Sequence, residues 1–368
     1  MKDDDLARLR LRNHRLSGGA FESPQHVVQA LGAAQAQEFA VAKWSLGRRA
    51  RGATNADVDR ALSDGAILRT HVLRPTWHFV LPADLRWMVA LTAPRVRAAM
   101  APYDRKLGLT DAVFGKGHAA IAKALAGGRA LPRTELAVAL GRAGVEATGP
   151  RLGLLLMRAE LDLLICSGAR QGKHHTYALV EERVPPTPPL DRDEALAALT
   201  ERYFRGHGPA TLKDFAWWSG LAAADIKRGI SMVGSRLVKL TVGDRTFYLG
   251  DVATRPRKPT SPAALLLQGY DEYIIGYRDT RWLPSATAEK HAGVLPRGQV
   301  MYTHAVVVDG QVMGHWRRGP GANDALVEAF FTRPLVAAQK KAISAEVRRY
   351  GRFLGESVRL DVTAAPAW

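Results

Sequence analysis

The chain has 368 residues, of which 52 are Lys or Arg and 35 are Asp or Glu, leaving a formal charge of +17. That length calls for more than one compact unit, and the single cysteine, Cys166, excludes an intramolecular disulfide and a cysteine-built metal cage. So large an excess of positive charge does not help the chain to fold, because self-repulsion opposes compaction; it attracts polyanions, and phosphate backbones are the partner it points to.

The first residues, Met1 to Arg10, carry three Asp and no apolar core, so they form neither a secretory signal nor a membrane anchor. The richest apolar run, Leu152 to Ile165, is broken by Arg158, Glu160 and Asp162 and is too short to span a bilayer. A cytoplasmic protein is expected.

Helices are predicted over Pro24 to Ala36 and over Asn55 to Asp64, the second capped by Asn55, with strands following at Ala66 to Val72 and Trp77 to Leu81. His118 to Ala126 reads as a helix ended by Gly127-Gly128. Pro132 to Ala143 is another, with proline at its start and Gly144 past its end, and Leu152 to Leu161 is a third. That third helix runs into a strand at Leu163 to Ile165, a turn from Ser167 to Gly172, and a returning strand from His175 to Val180. Four prolines between Val184 and Leu190 mark a boundary. Beyond them, helices are predicted over Asp193 to Tyr203, Thr211 to Trp218 and Ala222 to Met232. Thr211 and Asp214 form a short-armed capping box, and a tight hairpin follows at Leu237 to Val242 and Thr246 to Leu249.

Three helices and a two-strand ribbon is the winged-helix arrangement, in which one helix enters a groove and the ribbon touches backbone. Past Pro262 the texture becomes strand-like: Ala264 to Gln268, Met301 to Val308 and Gln311 to Trp316, the last two joined by Asp309-Gly310, then a basic helix from Leu335 to Phe353. The expected fold class is α+β, with three tandem winged-helix units at 1–105, 106–185 and 190–258 and a small β-rich domain at 259–368.

Three motifs bear on chemistry. In Gln35-Ala36-Gln37 neither amide has useful proton affinity near neutral pH, so the pair can only position a partner by hydrogen bonds. Residues two apart on a helix face opposite ways, so the chain must leave regular helix near Gln35 if both are to act together; two polar residues on a solvated helix are the commoner meaning of such a triplet. The stretch Arg69 to His78 alternates apolar with polar or basic residues and suits a ribbon whose Arg69, His71, Arg74 and His78 meet a duplex backbone. No metal is expected there, since no Asp, Glu or Cys has ligand spacing and His71 and His78 flank a proline-containing turn. The hairpin that ends in His315-Trp316-Arg317-Arg318 could probe a minor groove or be an ordinary surface hairpin. The doublets Asp271-Glu272 and His174-His175 read as structural.

In order and spacing, Gln35-Ala36-Gln37, LRTHVLRPTWHFVLPADL (68–85), GPATLKDFAWWSGL (208–221), LLQGYDEYIIGY (266–277) and VVVDGQVMGHWRR (306–318) resemble the winged-helix DNA glycosylases of the AlkZ and YcaQ type. The resemblance spans most of the chain. It implies winged-helix units packed into a concave basic surface, with a β-barrel-like element near the C-terminus. It also implies that Gln35 and Gln37 match a Gln–apolar–Gln motif that places the water attacking the sugar, with Ala36 as spacer. The activity that follows is monofunctional, metal-independent and cofactor-free hydrolysis of the N-glycosidic bond of N7-alkylguanine, including bulky adducts and interstrand crosslinks, by a monomer on duplex DNA. Arg69, His71, Arg74, His78, Arg317 and Arg318 would contact the DNA. The rival reading is a non-catalytic winged-helix DNA-binding protein or regulator, and loss of a base from alkylated duplex in chelator separates the two.

Overall fold

The computed structural model describes residues 3–250, 262–280, 304–319, 325–331 and 333–364. From Pro24 to Gly250 one order of elements occurs three times: helix, short strand, helix, helix, strand, strand. The first pass comprises Pro24–Leu31, Ala34–Gln35, Phe39–Arg49, Asn55–Ser63, Leu68–His71 and Trp77–Val80. The second comprises Asp111–Leu125, Leu131–Pro132, Arg133–Arg142, Gly149–Leu161, Ile165–Ser167 and Thr176–Leu179. In the third, a single bridge at Ala210 replaces the short strand between Arg192–His207 and Leu212–Ser219, and Ala223–Val233, Leu237–Val242 and Arg245–Gly250 follow. Each pass pairs its short strand antiparallel to its last: Ala34 with Phe79, Leu131 with Tyr177, Ala210 with Tyr248.

Local chemistry explains the boundaries. Thr54, Asp191 and Thr211 each cap a helix, and their backbone N–H groups donate in return to the carboxylates of Asp57, Glu194 and Asp214; the first cap is therefore Thr54 rather than Asn55. The helix expected to reach Ala36 stops at Leu31, because Gly32 takes a φ of 80° that only glycine adopts cheaply, and the chain enters a strand at Ala34. Helices absent from the sequence expectation include Asp3–Asn13, Phe39–Arg49 and the long connector Pro82–Lys106, which carries Pro94 and Pro102 inside it.

The C-terminal region forms a five-stranded sheet in the order Val358–Ala364, Ala325–Phe331, Gln311–Gly319, His304–Val308, Ala264–Leu267. The first two of these run parallel and are linked by the helix Ala337–Leu354, while Asp309 and Gly310, both with positive φ, make the tight turn of the 304–319 hairpin. Met301 to Thr303, expected in that hairpin, lie outside the described residues. This sheet and its helix share one apolar core with the first pass of helices. Trp44 meets Tyr350 and Phe353 at ring-centroid distances of 5.1 and 5.2 Å. No helix among the described residues is long and apolar enough to cross a membrane.

Candidate active site

Once the helix stops at Leu31, Gln35 closes the short strand Ala34–Gln35 and Gln37 follows in a bend, so both stand off regular helix. Both amide oxygens are bound by the hairpin of the strands Leu68–His71 and Trp77–Val80, one by its connection and one by its second strand. Arg74 Nη2 donates to Gln35 Oε1 at 2.8 Å, and the Trp77 backbone N–H donates to Gln37 Oε1 at 3.4 Å. The spacer Ala36 is fully buried and its carbonyl accepts from Arg69 Nε at 3.1 Å. Gln35 is buried and Gln37 half-buried.

Behind the pair lies the segment 264–277. The Gln35 backbone N–H donates to Glu272 Oε1 at 2.7 Å, while Glu272 Oε2 accepts from Trp218 Nε1 at 2.7 Å and hydrogen-bonds His207 Nε2 at 3.0 Å. Burial alone would push the Glu272 carboxyl up; the His207 interaction and the Gln35 N–H outweigh it and hold the group down to about 2. Beside it Asp271 takes two bonds from the buried Arg49 guanidinium, at 2.7 and 2.8 Å. The expectation that this acidic doublet is structural fits these contacts.

In front of the Arg74 connection opens a cavity of about 720 Å³ lined by Arg74, Arg95, Lys213, Trp217 and Arg278, with Leu73, Pro75 and Val96 as apolar wall and Asp279 as a carboxylate. The guanidinium groups of Arg74 and Arg278 lie over the Trp217 indole, 5.3 and 5.4 Å from its ring centroid, and its N–H is fixed on the Ile275 carbonyl at 3.0 Å. Such a wall suits phosphate oxygens and a stacked planar ring. No group of three His, Cys, Asp or Glu among the described residues could hold a metal ion.

The six residues expected to touch DNA divide sharply. Arg74 lines the cavity. Arg69 is half-buried, lying over Trp77 at 4.4 Å and Phe39 at 5.6 Å, and burial pushes its guanidinium down to about 10. His71 and His78 correct the expectation: both are buried, His71 on the buried carboxylate of Glu160 and His78 on the Thr76 carbonyl at 2.9 Å, so neither has surface to offer a duplex. The ribbon tip is tucked in as well, with the Leu73 N–H on Thr92 Oγ1 at 3.1 Å. A Cβ on Gly220 would lie 2.5 Å from the Leu73 carbonyl, so glycine is needed where the third pass abuts this tip.

The second correction concerns the 304–319 hairpin. Arg317 and Arg318 stand at the end of the strand away from the Asp309-Gly310 turn, where they are exposed and paired with Glu328 and with Glu356, the latter at 2.8 Å. The tip itself is held by Tyr273 Oη on the Gly310 carbonyl at 2.9 Å and packs near Ala7 and Leu11. A tip so covered cannot enter a minor groove.

Sequence reasoning missed Arg95, Lys213, Trp217 and Arg278 on the cavity wall. Lys213 and Trp217 stand four apart on one helix, a same-face spacing that could have drawn attention to them. The others reach the site through contacts between distant segments, which leave no local signal.

A family model described as DNA glycosylase AlkZ-like matches residues 28–353. A relative from Streptomyces sahachiroi, named interstrand DNA cross-link repair glycosylase, is 24% identical over 312 residues, 80% of this chain and 82% of the relative. The solved structure of Streptomyces sahachiroi DNA glycosylase AlkZ superposes with a TM-score of 0.80 at 22% identity, covering 99% of this chain and 100% of the other.

Proposed function

This chain belongs to the AlkZ-like family of DNA glycosylases, and from that premise we propose that it releases N7-alkylguanine from duplex DNA, acting on bulky adducts and interstrand crosslinks without a metal or other cofactor. The observation that carries the reading is the pair of side-chain amides, Gln35 and Gln37, held against the 68–80 hairpin, with Gln35 on the Arg74 guanidinium that also walls a cationic cavity.

The chemistry asks little of acid or base groups. Alkylation at N7 makes the guanine cationic, so it departs without being protonated by the protein. The water oxygen bonds to C1′ as the C1′–N9 bond breaks; the electron pair of that bond neutralises the base, and the water's spare proton passes to solvent. What remains is to orient the water and to accommodate positive charge on the sugar, and amide oxygens do both mildly. With water as the nucleophile no lysine is demanded, so the reaction is monofunctional and the product is an abasic site.

Arg74, Lys213 and Arg278 hold backbone phosphates, and Trp217 offers a stacking face. An open cavity of this kind suits a lesion too bulky to be flipped into a closed pocket. The repeated order of helices and strands is read as three winged-helix units, at 1–105, 106–185 and 190–258, with the sheet in 259–368 as a β-barrel-like domain. The protein acts as a monomer in the cytoplasm, where the chromosome lies.

The test uses purified protein and duplexes bearing N7-methylguanine, a bulky N7 adduct or an N7-linked crosslink, in chelator. The wild type releases base from all of them, and Gln35→Ala with Gln37→Ala reduces release to background while duplex affinity stays within about twofold. Release by the double variant at the wild-type rate would exclude the amide mechanism, and no release by the wild type would leave a passive DNA binder.

A further inference from the structure

The strand Ala34–Gln35 lies at the edge of its sheet, with a paired neighbour on one side only. On the open side its backbone is nevertheless held. The Gln35 N–H donates to Glu272 Oε1 at 2.7 Å, and the Gln35 carbonyl accepts from Gln268 Nε2 at 3.3 Å. Two side chains thus stand where a neighbouring strand would supply a carbonyl and an N–H. Both are buried, and each is itself braced: Gln268 Nε2 on Ser45 Oγ at 3.1 Å, Glu272 on Trp218 and His207. A buried carboxylate is a costly way to satisfy one amide when a backbone carbonyl would serve, and neither side chain lines the cavity.

We infer that Glu272 is the positioning residue of this site, with Gln268 as its partner: the two clamp the backbone of Gln35 from both ends and so fix the reach of its side-chain amide. The inference rests on the reading of Gln35 as the water-placing residue. Arg74 then sets the rotation of that amide, and the clamp sets its origin. A shift of the strand by a fraction of an ångström would move the amide oxygen off the line of attack without touching the DNA-facing cations.

Three variants test it: Glu272→Ala, Gln268→Met and Trp218→Phe. The readouts are single-turnover base release, duplex Kd, and hydrogen exchange of the Gln35 backbone amide in protein labelled with nitrogen-15 glutamine. Glu272→Ala slows release by about 100-fold, the scale of a small misplacement of a reacting group, with Kd within about twofold. Its Gln35 amide exchanges at least about tenfold faster, since that proton has lost its buried acceptor. Gln268→Met slows release by about tenfold and supplies the test if Glu272→Ala does not fold. Trp218→Phe removes a donor from Glu272 Oε2 but leaves Oε1 on Gln35, and slows release by about threefold at most, far less than Glu272→Ala, despite lower stability. Folded Glu272→Ala or Gln268→Met with wild-type release and exchange overturns the inference, as does Trp218→Phe slowed in step with Glu272→Ala. If the wild type releases no base the proposed function fails separately, and the exchange at Gln35 still decides whether the clamp exists.

Discussion

Arg74 places Nη2 2.8 Å from Gln35 Oε1 while its guanidinium carbon lies 5.3 Å from the ring centroid of Trp217. One side chain therefore joins the Gln35 amide to the cationic cavity, whose lining includes neither glutamine. A phosphate entering that cavity meets the same guanidinium that orients the amide. Arg74→Ala is expected to lower single-turnover base release by about 10- to 100-fold, the worth of a hydrogen bond to a charged group at ~1.5–3 kcal/mol, and to weaken duplex binding. Arg74→Lys restores the charge but not the planar donor, so it recovers affinity more than rate. Rates measured at saturating and subsaturating enzyme separate the two effects.

Lys213 and Arg278 are exposed on the cavity wall. If they meet phosphates, Lys213→Ala and Arg278→Ala each weaken binding of damaged and undamaged duplex alike. Each also reduces the slope of log Kd against log salt by about one. Titrations at several salt concentrations read this directly, and unchanged slopes would move the DNA path off this wall.

His78 is fully buried, and burial first, then the neighbouring Arg74 charge, pushes it from an ordinary value of 6.5 down to about 3. The unfolded chain takes up a proton near 6.5 that the native form refuses until about 3. Stability present above 6.5 is therefore lost as pH falls between those values, by ~1.4 kcal/mol per pH unit for one histidine. His78→Leu is expected to flatten the fall by that amount between about pH 6 and 4, read from urea midpoints. An equally steep decline in the variant would place the acid sensitivity elsewhere.

The sequence made the local features of this fold legible. Thr211 with Asp214, the glycine pair after the helix at 111–125, and the Asp309-Gly310 turn each act within a few residues, and each stands where expected. The end of the helix Pro24–Leu31 was not legible from periodicity, which carries the helix to Ala36; the spacing of Gln35 and Gln37 asks for a departure only on the condition that the two amides act together. The helix Phe39–Arg49 was not legible either, since eight of its 11 residues are buried and these include Lys43, Arg48 and Arg49, types that normally mark a solvated face. Their partners, Asp59, Glu346 and Asp271, are 16, 298 and 222 positions away. His71 misled for the same reason: alternation put it on the ribbon, but the carboxylate that buries it, Glu160, lies 89 positions on.

The groups that grip the backbone of Gln35 follow it by 233 and 237 positions. Contacts so distant in sequence form late, because loop closure must precede them. During synthesis the strand carrying the amides leaves the ribosome well before its support exists, so a half-made chain is already basic enough to touch nucleic acid but has no ordered reactive strand. If Gln35 carries the reaction, base release waits on the segment around Gln268 and Glu272 and on the still later sheet and helix that share a core with the helices of the first pass.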